Sequence, residues 1–505
     1  MARFFALPTL VSALALPLAI CAPFGAGCSD SPPVPAETPD AAVVVATDAA
    51  FDASPPPPDA ASPVVLASVG IFQAIRVPLV EDGVEVPATN RRAPIVAGRR
   101  ALFRVAPAAS STAEVGRSIS VQLTWNPGDG AAPVIATAPG TLFAKASDQA
   151  PDGVVDFEIP AEAVTTRASY TLSIAVGDAK LRFPATGDAT VGAVDDQGTL
   201  KVVLVPVRFQ GDGSNRISDT SSEQVARYRD RLSALYPATR IDLSVRPAPF
   251  PWPSPVSARG TGWDELLAAV TLLRQDDRVA PDVYYYGIFD PAPTYGAWCG
   301  NGCVLGLSNL PETASDTVSR AAIGIGFSGL EAPVTFVHEL GHAHGRYHAP
   351  CGGAGGPDAD YPYPRGVIGA TGWDARFGSF FDATRATDMM GYCDPSWISD
   401  YTFGAIYTRM REIAQTPRAQ TAARNTFIYR DDGHALHRLG SRVLAPMGGS
   451  RIPFNFKGVD GTWTTLSAHR VPFAEGSGGL VYLPAGTSPG RGESVVLDGN
   501  RRTVD

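Results

Sequence analysis

Residues 334–353 read VTFVHELGHAHGRYHAPCGG and hold four of the seven histidines in the chain, at 338, 342, 344 and 348. His338 and His342 stand four apart, so on a helix their rings leave one face and can share a metal ion. Glu339, beside the first of them, is placed to act as a general base on a water at that metal. Gly345 follows His342 by three residues, where a left-handed residue can end the helix and turn the chain. The turn lets His348 come back as a third ligand. Three imidazoles leave a fourth position open, the layout of a catalytic zinc site rather than a structural one. His344 points from another face of the helix and stays outside the ligand set. The spacing HExxHxxGxxH arises by chance at roughly 10⁻⁵ in a chain of this length and composition, which puts metal binding ahead of ordinary core histidines.

The run from His338 to His348 resembles the extended zinc motif of the metzincin metallopeptidases. That resemblance implies a methionine turn beneath the metal, and Thr387-Asp388-Met389-Met390-Gly391-Tyr392-Cys393 looks like it, with Met390 as the matching methionine. Tyr392 then falls where the astacin-like and serralysin-like branches place a tyrosine that ligates zinc at rest and turns to the oxyanion during reaction. The resemblance covers about 200–420. It implies one Zn²⁺ held by His338, His342 and His348, with Glu339 and Tyr392 as catalytic residues and a protein or glycoprotein as substrate. It also implies an edge strand that pairs with substrate backbone, within 304–307 or 322–327. Ala349 stands where several branches carry an Asp, and no pro-segment cysteine switch is present. The contexts of 348–351 and 390–397 look more like the large secreted bacterial metzincins, including the mucin-cutting type. Two other readings share the motif: a surface binding lipoprotein whose zinc core is only a scaffold, and a hydrolase of a non-peptide bond. Glu339 speaks against the scaffold, since a structural site has no use for a base beside its first ligand.

Cys299, Cys303, Cys351 and Cys393 can form two disulfides in an oxidising compartment or one four-cysteine zinc site, and the histidine cluster makes the second redundant. Cys299–Cys303 and Cys351–Cys393 are the expected pairs, the second tying the segment after His348 to the methionine turn. Asp358 and Asp360 could bind Ca²⁺, but nothing else supports it and solvated loop carboxylates are the plainer reading.

The elements that must position this site are legible as changes of period. Residues 64–198 alternate apolar and polar with turn signals between, as in 119–125 and 170–176, which suits a β-sandwich. From 199 to 424 the order becomes strand (201–207), helix (222–236), strand (241–245), helix (about 263–273), strand (283–289), then helices at about 333–344 and 402–415. That is an α/β (α+β) core of the metzincin type, flanked by the sandwich and by a small β-domain over 425–505.

Composition bounds the rest. The chain has 505 residues, 45% hydrophobic and 18% charged, too many for one core and too polar for a polytopic membrane protein. A net charge of −9 gives no electrostatic reason to expect nucleic acid as a partner. Residues 1–27 read as an export signal, with Arg3 ahead of an apolar run over 4–20. Gly25-Ala26-Gly27-Cys28 resembles a bacterial lipobox, making Cys28 the expected lipidation site, with Cys21 the alternative. Residues 28–63 then form a disordered Pro/Ala/Asp tether. The expected location is lipid-anchored at the cell envelope or surface, with simple secretion as the alternative.

Overall fold

The computed structural model describes residues 62–195, 198–300, 302–416, 424–444, 447, 451–457, 461–476, 478–484 and 489–505. The expected signal, Cys21, Cys28 and nearly all of the tether lie outside them.

The period-two segments become strands because a strand with one apolar face must bury it. One N-terminal sheet comprises β1 (Val64–Phe72), β2 (Arg76–Glu81), β3 (Val84–Glu85), β4 (Ala101–Ala109) and β7 (Val155–Ile159), in the order β3-β2-β1-β4-β7. The other comprises β5 (Ser118–Asn126), β6 (Val134–Thr141), β8 (Ser169–Val176), β9 (Ala179–Phe183) and β10 (Ala189–Thr190), with β5 and β8 at its centre. Phe103 of β4 meets Trp125 and Tyr170 edge-on across the gap, at centroid distances of 5.9 and 5.0 Å. The two sheets therefore share one apolar interior.

The next sheet is built on β11 (Thr199–Phe209). It pairs in parallel with β12 (Arg240–Val245), β13 (Phe250–Trp252) and β14 (Val283–Phe289). β16 (Ala321–Ile325) runs parallel to β14, and β15 (Gly306–Ser308) closes the edge antiparallel to β16. Parallel strands need cover on both faces. Tyr284, Tyr286 and Ile288 pack in a cluster with α1 (Ser222–Leu235) and α4 (Glu331–Ala343), while Tyr285 and Phe289 pack in another with α2 (Trp263–Asp276). α1 ends one residue short of the expected 236 because Pro237 drives Tyr236 to ψ 146°. α4 starts two residues earlier than expected, since Pro333 is tolerated in a first turn.

Beyond α4 come the short pairs β17 (Gly372–Asp374) with β18 (Ser379–Phe381) and β19 (Thr387–Asp388) with β20 (Ser396–Trp397), then α5 (Asp400–Gln415). A further short helix, α3 (Tyr295–Cys299), precedes β15. The N-terminal sheets are tied to this region by polar contacts. Arg99 donates to the carbonyls of Ser233 and Ala234, acceptors that the end of α1 leaves open, and to those of Tyr236 and Ala238 just beyond it. Trp397 donates its indole N–H to Ala74 O at 2.7 Å.

The C-terminal strands are β21 (Arg424–Asp431), β22 (Ala435–Leu444), β23 (Arg451–Lys457), β24 (Trp463–Pro472), β25 (Gly479–Pro484), β26 (Ser494–Leu497) and β27 (Asn500–Val504). They close into a seven-stranded barrel, a closure that short strands and turns did not announce. Arg430 pairs with Asp264 and Glu265, and Arg442 with Asp276, so the barrel docks on α2. The molecule is thus multidomain, with mixed sheets and few helices.

Candidate metal centre

α4 buries every residue from Thr335 to Ala343. Within it, the four-residue spacing places the His338 and His342 rings side by side, 4.7 Å between centroids. The helix stops at a Schellman turn: Gly345 at φ +79° donates to His342 O (2.7 Å) and Arg346 N–H to Gly341 O (3.0 Å). That reversal brings His348 back. The Nε2 of His342 lies 3.1 Å from that of His338 and 3.2 Å from that of His348.

These nitrogens cannot satisfy one another. His338 Nδ1 is 2.6 Å from Met389 O, His342 Nδ1 is 2.5 Å from Arg346 O, and His348 Nδ1 is 2.6 Å from Gly355 O. A carbonyl only accepts, so each Nδ1 carries the proton and each Nε2 of a neutral ring presents a lone pair. Three lone pairs facing one another in a buried site repel unless a cation sits among them. The donor set therefore fits a metal, with carbonyl partners of the kind that orient ligating imidazoles.

Glu339 is 1% exposed and lies against the edge strand, where a Cβ on Gly306 would collide with its carboxyl group. The chain from 387 to 393 forms a tight turn under α4. Asp388, whose carboxyl burial pushes upward in pKa, accepts from the N–H groups of Met390 and Ser399, both at 2.8 Å. Met390 is buried with its sulfur against Gly341, and its carbonyl accepts from Ala349 N–H at 3.0 Å. Tyr392 sends its hydroxyl to within 3.1 Å of His348 Nε2. Cys351 and Cys393 are joined in a disulfide behind it, and a second one links Cys299, the last residue of α3, to Cys303, which removes the four-cysteine zinc alternative.

His344 stays apart. Its Nδ1 donates to Leu340 O, its ring stacks on Tyr284 at 4.5 Å, and burial pulls its pKa down to about 3, so it is a neutral core side chain. Asp358 accepts from Arg346 and Tyr401 at 3.2 and 2.9 Å, and from the N–H of Asp360. The calcium alternative gains no ligand cluster from it. Among the described residues, the one group of three or more potential metal ligands is His338, His342, His348 and Glu475, with donor atoms within 4.8 Å of one another.

Glu475 is the residue that sequence reasoning missed. It comes from the β24–β25 loop of the barrel, with its side chain 5% exposed. Its Oε1 accepts from the Tyr392 hydroxyl at 2.5 Å and lies 3.6 Å from His348 Nε2. Nothing in Phe473-Ala474-Glu475-Gly476 distinguishes it from an ordinary turn carboxylate.

No protein-family model matches the chain, and no characterised protein matches it in sequence. The function must be read from the centre itself.

Proposed function

We propose that this protein is an exported zinc endopeptidase of the metzincin type, cleaving proteins or glycoproteins. The observation that carries the reading is the convergence of three imidazole lone pairs beside a buried glutamate and a tyrosine hydroxyl. His338, His342 and His348 would hold the ion. A bound zinc supplies a Lewis acid next to the scissile carbonyl and makes water nucleophilic near neutral pH. Glu339 takes the proton of the attacking water and returns it to the leaving amine. Its burial against Gly306 fixes the carboxyl group in one place. Tyr392 donates its hydroxyl to the oxyanion as charge develops there. β15, the outer strand of the sheet, offers backbone groups to an extended substrate. Two disulfides suit an oxidising compartment, in keeping with export and with lipid anchoring through Cys28.

The scaffold reading, a surface binding lipoprotein with a purely structural metal, draws on Glu475, because a fourth protein ligand is what closes a structural site. One assay separates the two. Chelator-sensitive cleavage of a denatured protein is measured with Glu475 intact and with Glu475→Ala, each alongside Glu339→Ala. The peptidase reading expects cleavage that disappears in Glu339→Ala while metal content stays. Absence of cleavage in all four zinc-loaded proteins leaves the scaffold.

A further inference from the structure

We propose that the C-terminal barrel is a built-in inhibitor of the metal centre, its β24–β25 loop lying along the track a substrate would take. This rests on the peptidase reading above and adds its regulation. β15 pairs with β16 on one side. On its other side the barrel segment meets the C-terminal end of β15, from Ser308 onward. Leu310 N–H donates to Pro472 O and Ala474 N–H to Ser308 O, both at 2.8 Å, with Asn309 and Phe473 opposed antiparallel between them. This short bridge uses the same kind of main-chain bonding by which an extended peptide docks on a sheet edge.

One residue beyond that pairing, Glu475 turns into the centre. Its carboxylate holds the Tyr392 hydroxyl and faces His348 Nε2. A nearly buried carboxylate needs a cation or strong donors to offset its desolvation, and a metal among the three imidazoles is the cation at hand. The fourth position and the oxyanion donor are thus both taken by one side chain. Phe473 anchors the loop in an apolar cluster with Leu305, Leu307 and Leu480. The ion pairs of Arg430 and Arg442 hold the barrel to α2, so the loop can be altered without undocking the domain.

The test uses full-length protein loaded with Co²⁺, whose visible bands report its ligands. Wild type is compared with Glu475→Gln, Glu475→Ala and Ala474→Pro, the last removing the N–H that bonds to Ser308. The proposal expects one cobalt per chain in each, altered visible bands in both Glu475 variants, and acetohydroxamate binding at least tenfold tighter in all three. Zinc-loaded forms of the same variants should cleave a denatured protein at least tenfold faster than wild type. Unchanged bands and unchanged acetohydroxamate affinity would overturn the inhibitor while leaving the metal centre standing. Loss of the metal in Glu475→Gln and Glu475→Ala, with no gain in cleavage, would also overturn it, making Glu475 a permanent structural ligand. Tighter acetohydroxamate binding without cleavage by any variant would retain the occluding loop and reject the peptidase. Cobalt content indifferent to His342→Ala would reject both.

Discussion

Gly306→Ala should disable the centre without touching a metal ligand. Gly306 lies in β15 opposite Gly324, with ordinary extended backbone, so alanine brings no conformational penalty. Its new Cβ, however, would stand 2.5 Å from both Cγ and Cδ of Glu339, where ordinary contact begins at 3.4 Å. Relief requires the glutamate to move by about 1 Å, a misplacement that costs on the order of 10²-fold in turnover for a proton-transferring group. Forcing a methyl group into this packed site should also destabilise the fold by about 1–3 kcal/mol. The cause can be isolated with a double-mutant cycle. In a Glu339→Ala background the colliding atoms are gone, and the same methyl group fills the space they leave. Its cost should therefore vanish, giving a coupling of about 1–3 kcal/mol between the two positions. Urea titrations of the four proteins measure that coupling, and peptide hydrolysis in a Glu475→Ala background measures the kinetic loss. Metal content should stay constant throughout. Equal destabilisation by Gly306→Ala in both backgrounds, or full activity with alanine at 306, would refute the packing argument.

Replacing His338, His342 or His348 by Ala should each weaken metal binding by orders of magnitude, read by metal analysis after dialysis, whereas His344→Gln should leave the metal in place. Chelation of the wild type should lower its Tm, because the three lone pairs then face one another without a cation; an unchanged Tm would count against the centre. Tyr392→Phe in the Glu475→Ala background should keep the metal and lower kcat at least tenfold with little change in KM, since it removes a donor used in the transition state; an unaltered kcat would reject that role. Opening the Cys351–Cys393 disulfide by replacing both residues with Ala should cost about 3–4 kcal/mol, from the 42-residue separation it closes, and urea denaturation that finds no loss would show the turn to be held without it.

What the chain disclosed by itself is the part of the site written in local geometry. His338 and His342 share a face because a helix repeats every 3.6 residues, and Gly345 marks the reversal because it adopts positive φ without strain. Alternation in β5 and β8 disclosed a buried face, and the shift to strand–helix alternation after Thr199 disclosed an α/β core, whose parallel pairing the structure supplies. Met390 and Tyr392 were found through a resemblance, and their places beneath and beside the histidines depend on a turn that Asp388 ties together. Other features only the tertiary structure decided. The proton positions of the three imidazoles are set by the carbonyls of Met389, Arg346 and Gly355, and no side-chain pattern records where a carbonyl will point. The close approach of Gly306 to Glu339 exists only because β15 lies beside α4. Glu475 sits far downstream in another domain, on a loop with no motif. Its meeting with Tyr392 follows from how the barrel docks on α2 and pairs with the edge of the sheet. Local periodicity carries information over a few residues, whereas the neighbour of a sheet edge and the fourth side chain of the candidate metal site are chosen by packing between domains.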